Sequence, residues 1–384
     1  MTSPLELLSG DAQTFVDKVW ATRVLVHEAS PEQLSRLLSL DDVDHLLTET
    51  AIRTPCVRVA RDGDVLPDGQ FVRTGATVAG KPVTGLVDAR KVLTLFDDGS
   101  TVVLQALHRY WPPLSRFTAD LELELGHPCQ VNAYLTPPGS QGFAVHEDSH
   151  DVFVFQTHGT KLWEIHHPDG DRACSLHPDC RVDEVLLRPG VCLYLPTGTP
   201  HAARAQESAS LHVTLGINQR TWADLVQQAV EPLVGALAGE HLPAHAVEHP
   251  EDLAEGLAAH LDTFADEVRR VDVTAVATEA TDRFLRTRPS RLRRGLISGL
   301  VARDLDEDTP LRRRPGVPCV RRDRGERLLL MLGDRTIDVP SWLGPAIDEL
   351  RPGRVLTPSE LPISPPSAVV LCRRLLREGL LEPA

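Results

Sequence analysis

The chain has 384 residues, 42% hydrophobic and 24% charged, with a net charge of −14 at pH 7. That composition belongs to a globular protein rather than a disordered one, and the length has room for two or three domains. No run reaches the roughly 18 apolar residues of a membrane span, the acidic balance disfavours whole-protein nucleic-acid binding, and seven scattered Cys disfavour a disulfide framework.

The first twenty residues, "MTSPLELLSGDAQTFVDKVW", lack the basic start and continuous apolar run of a secretory signal. A cytoplasmic protein is expected. Helical periodicity follows in "PEQLSRLLSLDDVDHLLTE". From about 52 to 217 the pattern changes to short apolar runs broken by Gly and Pro: "TVVLQAL", "QVNAYLT", "DVFVFQTHG", "KLWEIHH", "EVLLRPGVCLYLP" and "SLHVTLGI". Many short strands with turn signals between them predict a sandwich or barrel, not an alternating α/β sheet. Cys174 and Cys180, with His177 between them, lack a CxxC knuckle and a matching second pair. We expect a free-thiol loop there and no zinc site.

Residues 219–300 are helical by period, in "TWADLVQQAVEPLVGALAG" and "EDLAEGLAAHLDTFADEVRRV", with Asp252 placed to cap the second helix. Between Arg286 and Arg327, thirteen Arg stand against six Asp or Glu. Beyond this basic stretch, "ERLLLMLGDRTIDVP" reads as β, Trp342–Leu350 as a helix, and "PPSAVVLCRRLLREGLL" as a last helix. Helix, turn and helix beside a short hairpin outline a winged helix. Asp304, Asp306, Glu307 and Asp308 interrupt the basic zone, and the last helix has few polar base-reading residues, so a docking module is expected rather than a reader of DNA sequence. The expected division is 1–218, 219–300 and 301–384.

The chemistry concentrates in "GFAVHEDSHDVFVFQTHGTKLWEIH". On a strand, His146 and Asp148 would face one space and Glu147 the other. An imidazole beside a carboxylate is either a buried hydrogen-bonded pair or two legs of a metal site. A facial triad of two His and one carboxylate needs one more His after another strand. His201, in "CLYLPTGTPHAARA", is suitably placed, because 53 residues after Asp148 are enough to traverse a barrel and return to the same mouth. His150, His158, His166 and His167 fit no such geometry and read as surface or hydrogen-bonded residues.

From Leu107 to Trp222, "LHRYWPPL", "NAYLTPPGSQGFAVHEDSHDVFVFQTHGTKLW", "LYLPTGTPHAA" and "SLHVTLGINQRTW" resemble the JmjC-type cupin oxygenases, and most of all the ribosomal oxygenase branch. The resemblance implies a mainly β core, the double-stranded β-helix or cupin jelly roll with flanking helices. A helical dimerisation region and a winged-helix-like C-terminal domain would follow. It implies Fe(II) held by His146, Asp148 and His201, with Lys161 and Tyr134 binding the distal carboxylate of 2-oxoglutarate and Asn132 near the metal. A dianionic cosubstrate chelating iron at one end needs a positive donor at the other. Trp163, on the same face as Lys161, reads as packing.

The implied activity is hydroxylation of a protein or peptide side chain, a ribosomal protein first of all, by a homodimer, with succinate and CO2 as co-products. Two features depart from the pattern. Glu147 stands where many relatives have an uncharged residue, and Gly216 where some relatives that oxidise histidine have Ser. They leave room for an oxygenase tailoring a peptide natural product. The reading from another class is a non-catalytic, metal-binding cupin, against which the intact His146, Asp148, His201 and Lys161 speak.

Overall fold

The structure, a computed structural model, describes residues 2–61, 63–140, 145–167, 181–205, 207–244, 247, 249–289 and 291–384. Cys174, His177 and Cys180 lie outside the described residues. The chain divides into two units, Met1–Gln219 and Arg220–Ala384.

The first unit contains, in chain order, β1 (Leu25–Glu28), β2 (Val57–Arg61), β3 (Asp64–Val65), β4 (Thr77–Val78), β5 (Lys81–Pro82), β6 (Thr101–Leu104) and β7 (Cys129–Thr136). Then come β8 (Asp151–His158), β9 (Lys161–His167), β10 (Arg181–Leu187), β11 (Val191–Leu195), β12 (His201–Ala205) and β13 (Ser210–Ile217). Eight of these form one sheet in the order β1-β11-β8-β13-β7-β6-β2-β3, and three form a second in the order β10-β9-β12. Every pairing is antiparallel. The arrangement is a cupin-type jelly roll.

Period-two alternation decides what each face does. On β7, Val131, Ala133 and Leu135 join a core with Phe153 and Phe155 of β8 and Leu211, Val213 and Leu215 of β13. Helices cover that face: Leu5, Leu8, Phe15, Leu34, Leu46, Leu114 and Leu121 belong to the same core. On the opposite face Val152, Val154, Leu193 and Leu195 pack with Trp163 and Ile165 of the smaller sheet. The run "DVFVF" is apolar without alternation because β8 is buried on both faces. The polar members of the inner face, Asn132, Tyr134, His212 and Thr214 among them, line one cavity.

His146 and Asp148 depart from the sequence expectation of a strand. His146 makes an isolated bridge with His201, each donating its N–H to the other's carbonyl (3.0 and 2.9 Å), and Asp148 lies in the following loop. The ladder stops because neighbouring loop segments take over the backbone bonds, Gly198 N–H donating to the Asp148 carbonyl at 3.0 Å.

In the second unit, helices span Trp222–Ala236, Pro250–Arg270, Val273–Arg286 and Gly295–Asp304. A three-stranded antiparallel sheet (Val320–Arg324, Arg327–Met331, Thr336–Pro340) follows, then short helices and a last helix at Pro365–Arg377. Leu328, Leu330, Ile337, Leu371, Leu375 and Leu376 share one core. Asp252 does not cap its helix. Pro250 occupies the first turn, where its missing N–H costs nothing, and the N-cap falls on His249. Five cysteines, Cys56, Cys129, Cys192, Cys319 and Cys372, are free thiols. No described helix is long and apolar enough to cross a membrane.

Gly159 turns β8 into β9 with φ +61°, and a Cβ there would lie 1.9 Å from the Ala209 carbonyl oxygen. Backbone cannot yield as a flexible side chain can, so Gly159→Ala should destabilise the protein by about 2–4 kcal/mol. The midpoint of a denaturant titration reads this directly.

Candidate active site

A cavity of about 290 Å³ opens between the two sheets of the jelly roll. His146, Asp148 and His201 line it, and each offers a ligand atom within 4.8 Å of the other two. His201 Nε2 stands 3.8 Å from an Asp148 carboxylate oxygen, and the imidazole centroids of His146 and His201 are 4.4 Å apart. His201 Nδ1 lies 2.8 Å from the Thr199 carbonyl. A carbonyl only accepts, so Nδ1 carries the proton and Nε2 keeps its lone pair toward Asp148. Burial lowers the His201 pKa, which favours the neutral imidazole that a metal requires. Trp163 stacks on the ring at 5.5 Å and 22°, fixing its plane.

The loop carrying His201 is tied down by Asp151. This carboxylate is completely buried and accepts hydrogen bonds from the Tyr194 hydroxyl, the Thr197 N–H (2.7 Å) and the Thr197 hydroxyl (2.9 Å). β8, the end of β11 and the turn into β12 therefore meet at one residue.

At the other end of the cavity lies Lys161, 4% exposed. Its ammonium donates to Thr136 Oγ1 at 3.2 Å, and no carboxylate partners it among the described residues. Burial brings its pKa down to about 8. Relative to the ordinary lysine value this corresponds to roughly 3 kcal/mol against carrying the charge there. The cost is absent above the unfolded-state pKa and grows as the pH falls toward 8. An anion entering the cavity would offset it.

Tyr134 also faces the cavity; burial raises its pKa, so it stays a neutral phenol. It stacks on His212 at 5.0 Å and 5°. His212 is held far below the ordinary imidazole pKa by burial and then by Lys161. Asn132 lines the cavity, with its Oδ1 accepting the Ala106 N–H at 3.0 Å.

The fold thus brings all six residues singled out in the sequence to one cavity. Sequence reasoning missed Arg58, Gln130, His150, His212 and Thr214, which line it too. Alternation in "SLHVTLG" was signal enough for His212 and Thr214. His150 sits over Gly216, where an added Cβ would fall 2.3 Å from its Nε2. Glu147 is exposed and not among the lining residues.

Two imidazoles and a carboxylate on one side of a polar cavity, backed by a desolvated cation, define a cupin built to hold a metal and an anion. Residues 109–225 match the JmjC domain family. The chain is 30% identical over 239 residues to human ribosomal oxygenase 1, covering 59% of this chain and 36% of that protein. It is 28% identical over 262 residues to the bifunctional lysine-specific demethylase and histidyl-hydroxylase NO66 of Aedes aegypti, covering 65% of this chain and 38% of that one. The matches therefore span little more than a third of those relatives. Among solved structures, the Escherichia coli ribosomal oxygenase YcfD, in complex with cobalt and 2-oxoglutarate, superposes over 96% of this chain and 97% of its own with TM-score 0.53 at 18% identity. Residues 109–225 thus carry the JmjC-type cupin match, and the likeness of the chain runs to the ribosomal oxygenases.

Asp151→Asn keeps the size of the side chain but puts an NH2 against one of its donors. We expect the affinity for a divalent metal such as Co(II) to fall about 10- to 100-fold, the range for losing support behind a metal ligand, as read by calorimetric titration.

Proposed function

We propose that this protein is an Fe(II)- and 2-oxoglutarate-dependent oxygenase that hydroxylates a side chain of a protein or peptide, with a ribosomal protein as the first target to examine. The observation carrying the proposal is Lys161, a cation buried in the same cavity as the triad with no carboxylate beside it among the described residues. A cupin that merely stored metal would gain nothing from that desolvation cost. In this reading His146, Asp148 and His201 would hold the iron. Lys161 and the Tyr134 phenol take the distal carboxylate, while Asn132 lies near the metal and braces the Ala106 turn. When bound, Fe(II) and 2-oxoglutarate supply the oxidising chemistry, coupling decarboxylation to succinate and CO2 with oxygen transfer into a C–H bond. The protein's share is to orient the cosubstrate, keep the His201 imidazole neutral and exclude water behind Val152, Val154 and Trp163.

The chain's other regions enter the proposal with less at stake. The exposed apolar side chains Trp222, Val226, Leu257 and Leu261 on the helices of 219–300 suit a homodimer contact. Region 301–384 would serve as a winged-helix-like docking module. Sequence-specific DNA binding is not part of the proposal, since Arg321, Arg322 and Arg327 are engaged by Asp323, Asp348, Asp282 and Asp338. A cytoplasmic location accords with a ribosomal target.

The test needs no substrate. Fe(II) followed by 2-oxoglutarate, added without oxygen, should give the visible charge-transfer band of a chelated complex. The band should vanish in His146→Ala and require much more 2-oxoglutarate in Lys161→Ala. Iron binding without the band in the wild type would sink the proposal.

The pH dependence carries a sign. Only the ammonium form of Lys161 holds a carboxylate, and its pKa in the empty site is about 8. Cosubstrate affinity should therefore weaken about tenfold per pH unit above 8 and stay level just below it. Lys161→Ala should lose that limb of the profile, as followed by titration of the same band.

A further inference from the structure

Resting on the oxygenase reading, we infer that Arg58 selects the target side chain: the cavity takes a residue ending in a hydrogen-bond acceptor, a carboxamide or carboxylate fitting best, and rejects the cationic side chains of lysine and arginine. Arg58 comes from β2, near the edge of the large sheet. Cross-strand register puts it opposite Val103, and Val103 opposite Tyr134, so the three side chains share the inner face. It lines the cavity together with Ala60, also of β2. Its Nε is buried without a hydrogen-bond partner, and no ion pair engages its guanidinium among the described residues. Trp163 Nε1 and His212 Nδ1 in the same lining are also buried without a partner, but of the three only Arg58 carries a charge. A guanidinium left uncommitted in a concave site is a fork of donors awaiting a planar acceptor.

Charge accounting gives the same answer. Among the described residues Asp148 is the only carboxylate lining the cavity, and Lys161 and Arg58 are the lysine and arginine that line it. With a divalent metal and a dianionic cosubstrate in place, the metal is offset by Asp148 and part of the dianion, and Lys161 offsets the rest. One positive charge remains, on Arg58. Glu147 is exposed and outside the cavity lining, so water screens it. An incoming ammonium or guanidinium would meet an unopposed like charge in a partly desolvated space, whereas a carboxylate or carboxamide would meet two parallel N–H donors.

The experiment uses the full-length enzyme loaded with Fe(II) and 2-oxoglutarate without oxygen. The probes are the N-acetyl amides of asparagine, aspartate, lysine and arginine, each titrated while the charge-transfer band is watched. The asparagine and aspartate probes should perturb the band saturably and the two cationic probes at least tenfold more weakly. Arg58→Gln should keep the band but lose most of that discrimination, and Arg58→Glu should reverse it in favour of the lysine and arginine probes. The inference is overturned if the cationic probes act as well as the others on the wild type. It is equally overturned if neither acceptor probe acts, or if Arg58→Gln discriminates as the wild type does. Absence of the band before any probe is added is a different result, and it would overturn the oxygenase reading itself.

Discussion

The site hangs on one buried carboxylate. Asp151 begins β8, and its two oxygens hold the Tyr194 hydroxyl and both donors of Thr197. A fully desolvated carboxylate is tolerable only when its lone pairs are taken, and here protein groups take them. The consequence is positional. Pro196–Pro200 cannot move without uncovering that charge, and His201 follows directly from this turn. The backbone bridge from His201 to His146 then passes the constraint to the other half of the triad. The placing of His146, Asp148 and His201 together is in this sense an outcome of satisfying Asp151.

The same logic runs the other way at Lys161. There the charge is buried with one neutral hydroxyl for company, and the fold leaves the remainder of its hydrogen bonding to an incoming group. One end of the cavity is thus finished by the protein and the other is completed only by a ligand. Polar satisfaction, not shape alone, distinguishes a structural network from a binding one.

How much of this was legible in the chain depended on whether spacing or topology carried the information. The jelly roll showed through short apolar runs and turn residues, and His146, Asp148 and His201 could be gathered from local spacing plus one return across a barrel. Arg58 could not. It lies on a strand far upstream, and nothing local marks which face of the cavity a strand near the sheet's edge will join. His150 escaped because it sits in a loop, where neither the helical nor the strand period applies. The strand expected at His146 and Asp148 failed for a related reason: alternation gave a sensible facing, but His146 makes only an isolated bridge to His201, and the Asp148 carbonyl is bonded by Gly198 of a loop. Asp252 was mistaken for a cap because Pro250, two residues earlier, sets the start of the helix more strongly than a carboxylate does.

Gly216 bears on how such a cavity can change over generations. Its missing side chain is what lets the His150 ring lie across the cavity wall, with Gln130 Cγ close on the other side at 3.2 Å from where a Cβ would be. A single methyl group there would evict the ring and recast the wall while leaving the triad, Lys161 and Asp151 untouched. The cavity wall and the His146, Asp148, His201 and Lys161 groups can therefore drift separately, the first at one codon in β13 and the second hardly at all.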